Sequence, residues 1–107
     1  MLEPQFNNFI SEQNKHIVGL YATIENNRER VFARTIKLSE EVGELAEAVL
    51  ASESLQSKSK SYKETSLEQE LADVIITTLL LAESLGVDMN QALGTRVAEI
   101  RSRRTTD

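Results

Sequence analysis

Cysteine and tryptophan are absent from the 107 residues, and proline and histidine occur once each. Without cysteine the chain has no disulfide, no thiolate metal site and no thiol nucleophile, a composition compatible with a reducing cytosol. The lone His16 cannot build a histidine metal centre. One proline and four glycines leave long stretches uninterrupted, and β-branched residues are scattered rather than alternating, so the expected class is all-α. No long hydrophobic run is present: the longest, Val74 to Ala82, is roughly half of a membrane span and contains Thr77 and Thr78. The N-terminus lacks a basic segment followed by an apolar core. The expectation is a soluble, unprocessed, cytoplasmic chain with no membrane partner. Positive charge is also scarce. Twelve Lys and Arg against 17 Asp and Glu give a net charge of -5, which argues against nucleic acid as a partner. An acidic protein can still hold a small polyanion when divalent cations bridge the two. The length fits a single domain over residues 1–107.

Four helices can be read. The first runs roughly from Pro4 to Ile24, with Phe6, Ile10, Ile17, Leu20 and Ile24 near one face. The second runs from about Arg28 to Ser52 on the stripe Val31, Leu38, Val42, Leu45 and Val49. Residues 52–66 hold six serines and three lysines, the composition of a mobile surface connection. Ser66 with Gln69 has the form of a capping box opening the third helix, and Gly86 suits the position just past its end. Asp88 with Gln91 repeats the cap signature before a fourth helix on Met89, Leu93, Val97 and Ile100, after which Arg101 to Asp107 should fray. Apolar residues surround most of the third helix at Val74, Ile75, Ile76, Leu79, Leu80 and Leu81. Such a helix must be covered on nearly every side, which predicts a homodimer or homotetramer unless the helix is central within one chain.

The second and third helices carry matching acids: Glu41 and Glu44 beside Leu38, Val42 and Leu45, and Glu70 and Asp73 beside Leu67, Leu71 and Val74. Each pair is spaced i, i+3 and offset from its stripe by the same angle to the same hand. Two antiparallel helices packed stripe to stripe are related by a local two-fold axis, so equal offsets fall on the same side of the contact and four carboxylates can converge there. Such a group cannot stay fully ionised without compensation. Divalent cations supply it, and an all-oxygen set suits Mg²⁺ or Mn²⁺. An acidic run on one helix is ordinarily a solvated face, and Glu70 sits where a helix dipole welcomes any acid. Asp73, a poor helix former set against an apolar run, is harder to explain that way.

The segments Lys37-Leu-Ser-Glu-Glu-Val-Gly-Glu-Leu-Ala-Glu-Ala48 and Glu70-Leu-Ala-Asp-Val-Ile75 resemble the EExxE and ExxD signature of MazG-like all-α NTP pyrophosphohydrolases. The likeness extends from about Arg30 to Val97. It implies a four-helix MazG-like bundle, oligomeric, that hydrolyses a nucleoside triphosphate, a deoxynucleotide in the first instance, to the monophosphate and pyrophosphate as nucleotide-pool housecleaning. By the same resemblance Glu41, Glu44, Glu70 and Asp73 are the Mg²⁺ ligands, and Glu40 positions or deprotonates the attacking water. Lys37, one turn before Glu41, could meet a phosphate oxygen or simply pair with Glu41.

Many relatives carry a Lys and then an Asn four residues on where this chain has Arg96 and Ile100. Arg96 keeps the phosphate-binding charge, whereas Ile100 cannot replace the amide. Thr77 would face the site if it does not merely pack, and His16, Phe9 and Tyr21 could line a base pocket or belong to core or surface. Two other readings stand beside this one. One is phosphoribosyl-ATP pyrophosphohydrolase, and the other is a non-catalytic helical interaction or regulatory module.

Overall fold

The computed structural model describes residues 3–20, 27–53 and 66–106. They form four helices, α1 (Pro4–Leu20), α2 (Asn27–Glu53), α3 (Leu67–Leu85) and α4 (Met89–Thr106), with no strand among the described residues. The expected end of the first helix at Ile24 and most of the serine-rich connection lie outside the described residues.

Local chemistry sets the helix ends. The Gln69 backbone N–H donates to the Ser66 hydroxyl at 3.0 Å and the Ser66 N–H donates to the Gln69 side chain at 3.3 Å, closing the expected capping box at the start of α3. Gly86 ends that helix with φ 71°, a left-handed conformation that glycine adopts without steric penalty. The Gln91 N–H donates to the Asp88 carboxylate at 3.2 Å, so α4 is capped as predicted. Its far end differs from expectation. Residues 101–106 remain helical rather than fraying, and Arg103 and Arg104 in the last turn complement the negative end of the helix dipole.

The principal contact is α2 against α3, with α1 packed on α3; α4 makes little contact with the other described helices. The first pair is antiparallel. Near the N-terminus of α2, Asn27 donates to the Ser84 carbonyl at 3.0 Å, and Arg34 donates to the Leu80 carbonyl at 2.9 Å and to the Ser84 hydroxyl, all near the C-terminus of α3. Glu44, farther along α2, meets Glu70 at the start of α3.

The line of closest contact is not the predicted apolar stripe. On α2 the buried residues are Arg34, Glu41 and Ala48, and on α3 they include Glu70 and Thr77, with half-buried Ser84 seven residues farther. Of the expected α2 stripe, Val31, Leu38 and Leu45 are half-buried, whereas Val42 and Val49 are 48% and 42% exposed, and Leu71 on α3 is 52% exposed. Both helices are therefore rotated by roughly 70° from a stripe-to-stripe arrangement, at about 100° per residue. The rotation carries a polar column into the seam.

Arg34 was not apparent as a structural residue from the sequence, although its place seven residues before Glu41 puts both on one face. Its guanidinium is buried, and burial foremost, then the neighbouring Arg30, lowers its pKa, opposed by Glu83. Arg34→Ala should destabilise the chain by about 2 kcal/mol, the size of charge-assisted hydrogen bonds lost. Arg34→Met keeps the packing without a buried charge and should cost less. Urea unfolding of both variants checks the order, and equal losses would mean that its hydrogen bonds to Leu80 and Ser84, not its packing, are what Arg34 supplies.

Candidate metal centre

The seam delivers three acids to one point. Glu41, Glu44 and Glu70 each offer a carboxylate oxygen, all within 4.8 Å of one another. Oxygens bound to a single Mg²⁺ at about 2.1 Å lie at most ~4.2 Å apart, so this cluster is close to the size of an ion site. Glu41 and Glu70 are 7% and 6% exposed, whereas Glu44 stands at the open edge. One oxygen of Glu41 and one of Glu70 are buried with no hydrogen-bond partner. Orphaned carboxylate oxygens in a helix seam are unfavourable unless a cation or its hydration shell satisfies them. The all-oxygen donor set fits a hard divalent ion such as Mg²⁺ or Mn²⁺.

The rotation of α2 and α3 explains this burial. Acids expected along the edge of an apolar contact are partly inside it: Glu41 and Glu70 in the seam, Glu44 and Asp73 toward solvent. Asp73, the fourth expected ligand, is exposed and outside the 4.8 Å group. Its charge nonetheless reaches Glu70, whose pKa is raised by burial first, then by Glu44, Asp73 and Glu41.

Proton linkage follows from that shift. A carboxyl raised above its ordinary value of 4.5 binds a proton more tightly in the folded chain than in the unfolded one. Stability of the metal-free protein should therefore fall as pH rises from about 4.5 through the raised Glu70 value. Thermal unfolding with chelator across pH 4.5 to 7 should show a declining midpoint from this group. The decline should weaken in Glu70→Gln, and added Mg²⁺ should offset it. An identical slope in wild type and Glu70→Gln would remove Glu70 as its origin.

Lys37 lies on the rim with its Nζ 3.3 Å from Glu41, the pair anticipated from their spacing. Its pKa is raised chiefly by the hydrogen bond to Glu41, then by the Glu41 charge, with smaller contributions from Glu40 and Glu44. Glu40 is exposed on α2. Arg96 pairs at 2.9 Å with Glu99 on its own helix, α4, which makes little contact with the other described helices. Thr77 is buried at 8% exposure, in keeping with packing. Phe9 and His16 are exposed on α1, while Tyr21 lies outside the described residues.

Among the described residues no helix is long and apolar enough to cross a membrane. The family model described as MazG nucleotide pyrophosphohydrolase domain matches residues 33–106, which include all three clustered acids, Asp73, Glu40, Lys37 and Arg96. No curated protein and no solved structure matches the chain significantly.

Proposed function

The chain belongs to the MazG nucleotide pyrophosphohydrolase domain family, and we propose that it hydrolyses nucleoside triphosphates, deoxynucleotides foremost, to the monophosphate and pyrophosphate as nucleotide-pool housecleaning. The observation that carries this reading is the pair of buried, unpartnered oxygens of Glu41 and Glu70 beside Glu44. Glu41, Glu44 and Glu70 would hold a divalent ion, with Asp73 turning in as a fourth ligand from one turn along α3. The chemistry such an ion supplies is neutralisation of the phosphate oxygens and Lewis-acid polarisation of the anhydride.

The chain's own groups do the rest. Lys37, exposed beside Glu41, binds a phosphate oxygen. Glu40 orients water for attack on the α-phosphorus and accepts its proton. The α–β anhydride bond breaks as the new phosphorus–oxygen bond forms, and pyrophosphate departs. Arg96 adds a phosphate contact once α4 is docked in an oligomer.

That oligomer is the second part of the proposal. Leu71 and Ile75 on α3 are 52% and 55% exposed, and an apolar helix face left open in this way is the mark of a subunit contact. Sedimentation at micromolar concentration should give at least a dimer. A stable species of 12.0 kDa would sink this part.

Function is tested by a pyrophosphate-release screen over NTPs, dNTPs and phosphoribosyl-ATP with Mg²⁺. Release from a deoxynucleotide is expected. Release from phosphoribosyl-ATP alone would move the protein to that reaction, and no release from any would leave a non-catalytic module.

A further inference from the structure

A cleft of about 160 Å³ opens where α1, the end of α3 and the start of α4 meet. It is lined by Ile10 of α1, by Leu79, Ala82 and Glu83 of α3, and by Asp88 and Met89 where α4 begins. None of these belongs to the acid cluster. At 1.5 Å per residue, Glu83 stands roughly 20 Å beyond Glu70 along α3, so the cleft is a place of its own.

Its floor and its charge have separate origins. Ile10 and Ala82 are buried and Leu79 and Met89 half-buried, which makes the floor apolar. The charge is all of one sign: Glu83 and Asp88 are exposed, and no Lys or Arg among the described residues lines the cleft. The last turn of α3 deepens this negative potential, because it holds Glu83 and no base where the helix dipole favours a cation. Neither acid joins an ion pair among the described residues. The Arg34 guanidinium feels Glu83 but donates to the Leu80 carbonyl and the Ser84 hydroxyl. Asp88 caps α4 through one carboxylate oxygen, and its other oxygen has no partner among the described residues.

Exposed acids by themselves call for no ligand, and here the apolar floor beside them decides the matter. A hydrated metal ion gains nothing from such a floor, and the described acids that converge as metal ligands are Glu41, Glu44 and Glu70 instead. An organic cation uses both parts: ammonium groups answer the carboxylates while methylenes leave water. Volume limits its size, since a cavity of ~150 Å³ holds a benzene ring, and a four-carbon diamine has no more non-hydrogen atoms than benzene. We infer that this cleft binds a short aliphatic diamine, with its ammonium groups held by Glu83 and Asp88 and its methylenes over Ile10, Leu79 and Ala82. Bound there it bridges α1, α3 and α4, and so fixes the helix that otherwise makes little contact with the rest.

A chemical-shift titration of the full chain with 1,4-diaminobutane, at low ionic strength and with Mg²⁺ present, tests this. Saturable shifts are expected at Ala82, Val87 and Met89, with a Kd on the order of 1 mM. Asp88→Asn keeps a capping side chain and Glu83→Gln keeps a good helix former, so both should fold as wild type, and each should weaken binding ~3–5-fold. Glu70→Gln should leave the affinity unchanged, which separates this cleft from the metal centre. Butane-1,4-diol has the same length without charge, and methylamine has the charge without the stem. Each should bind at least ~10-fold more weakly than the diamine. The diamine should also raise the unfolding temperature of wild type more than that of Asp88→Asn. Wild-type affinity in both Glu83→Gln and Asp88→Asn overturns the site, and so does equal binding of the diol or of methylamine. Shifts that vanish in Glu70→Gln, or no saturable shift up to ~10 mM, overturn it as well.

Discussion

Glu70→Gln is expected to lower turnover by ~10²–10³-fold, the loss associated with removing one preorganised electrostatic partner of a phosphoryl transition state, while the metal-free protein unfolds at the same or a higher temperature. The two halves share one cause. Glu70 is buried against Glu41 and Glu44 with an unsatisfied oxygen, so its charge opposes folding when no cation is present and serves binding when one is. Replacing it by a neutral amide of similar shape deletes a ligand and relieves repulsion together. Calorimetric Mg²⁺ titration, thermal unfolding with chelator and a pyrophosphate-release assay read the three consequences. Glu41→Gln should behave alike in activity, with the small further loss of its ion pair to Lys37. A Glu70→Gln chain that unfolds, yet keeps full specific activity in its folded fraction, would falsify the metal centre.

Glu40→Gln should separate chemistry from binding. Glu40 is adjacent to Glu41 in sequence but about 100° away around the helix, exposed where Glu41 is buried, and its charge is felt at Lys37. A residue that takes the proton of the attacking water acts only in the transition state. The substitution should therefore reduce kcat by ~10²–10⁴-fold while leaving the affinities for Mg²⁺ and for a non-hydrolysable nucleotide close to wild type. Near-wild-type kcat would make Glu40 a solvated neighbour. Lost metal affinity would make it a further ligand and change the geometry of the site.

Much of this molecule follows from residue order. Helix formers, a single proline and the caps at Ser66, Gly86 and Asp88 define α3 and the start of α4, because a cap is a contact between residues three or four apart. The acid pairs are legible for the same reason: spacing of three on a helix fixes a shared direction before any tertiary contact exists. The family signature lies in those same short segments.

Tertiary structure decided how the helices turn toward each other. Periodicity gives the apolar side of α2 as the line through Leu38, Val42 and Leu45, but packing also has to seat the Arg34 guanidinium on the Leu80 carbonyl and the Ser84 hydroxyl. That long-range polar anchor accompanies a seam on Arg34, Glu41 and Ala48. It turns Glu41 and Glu70 inward, leaves Asp73 outside the closest cluster, and sets Glu44 opposite Glu70 in register. Residue spacing determines angles within one helix. Rotation and register between two helices depend on contacts between residues far apart in sequence, so the burial of two unpaired carboxylate oxygens emerged only when the helices were packed.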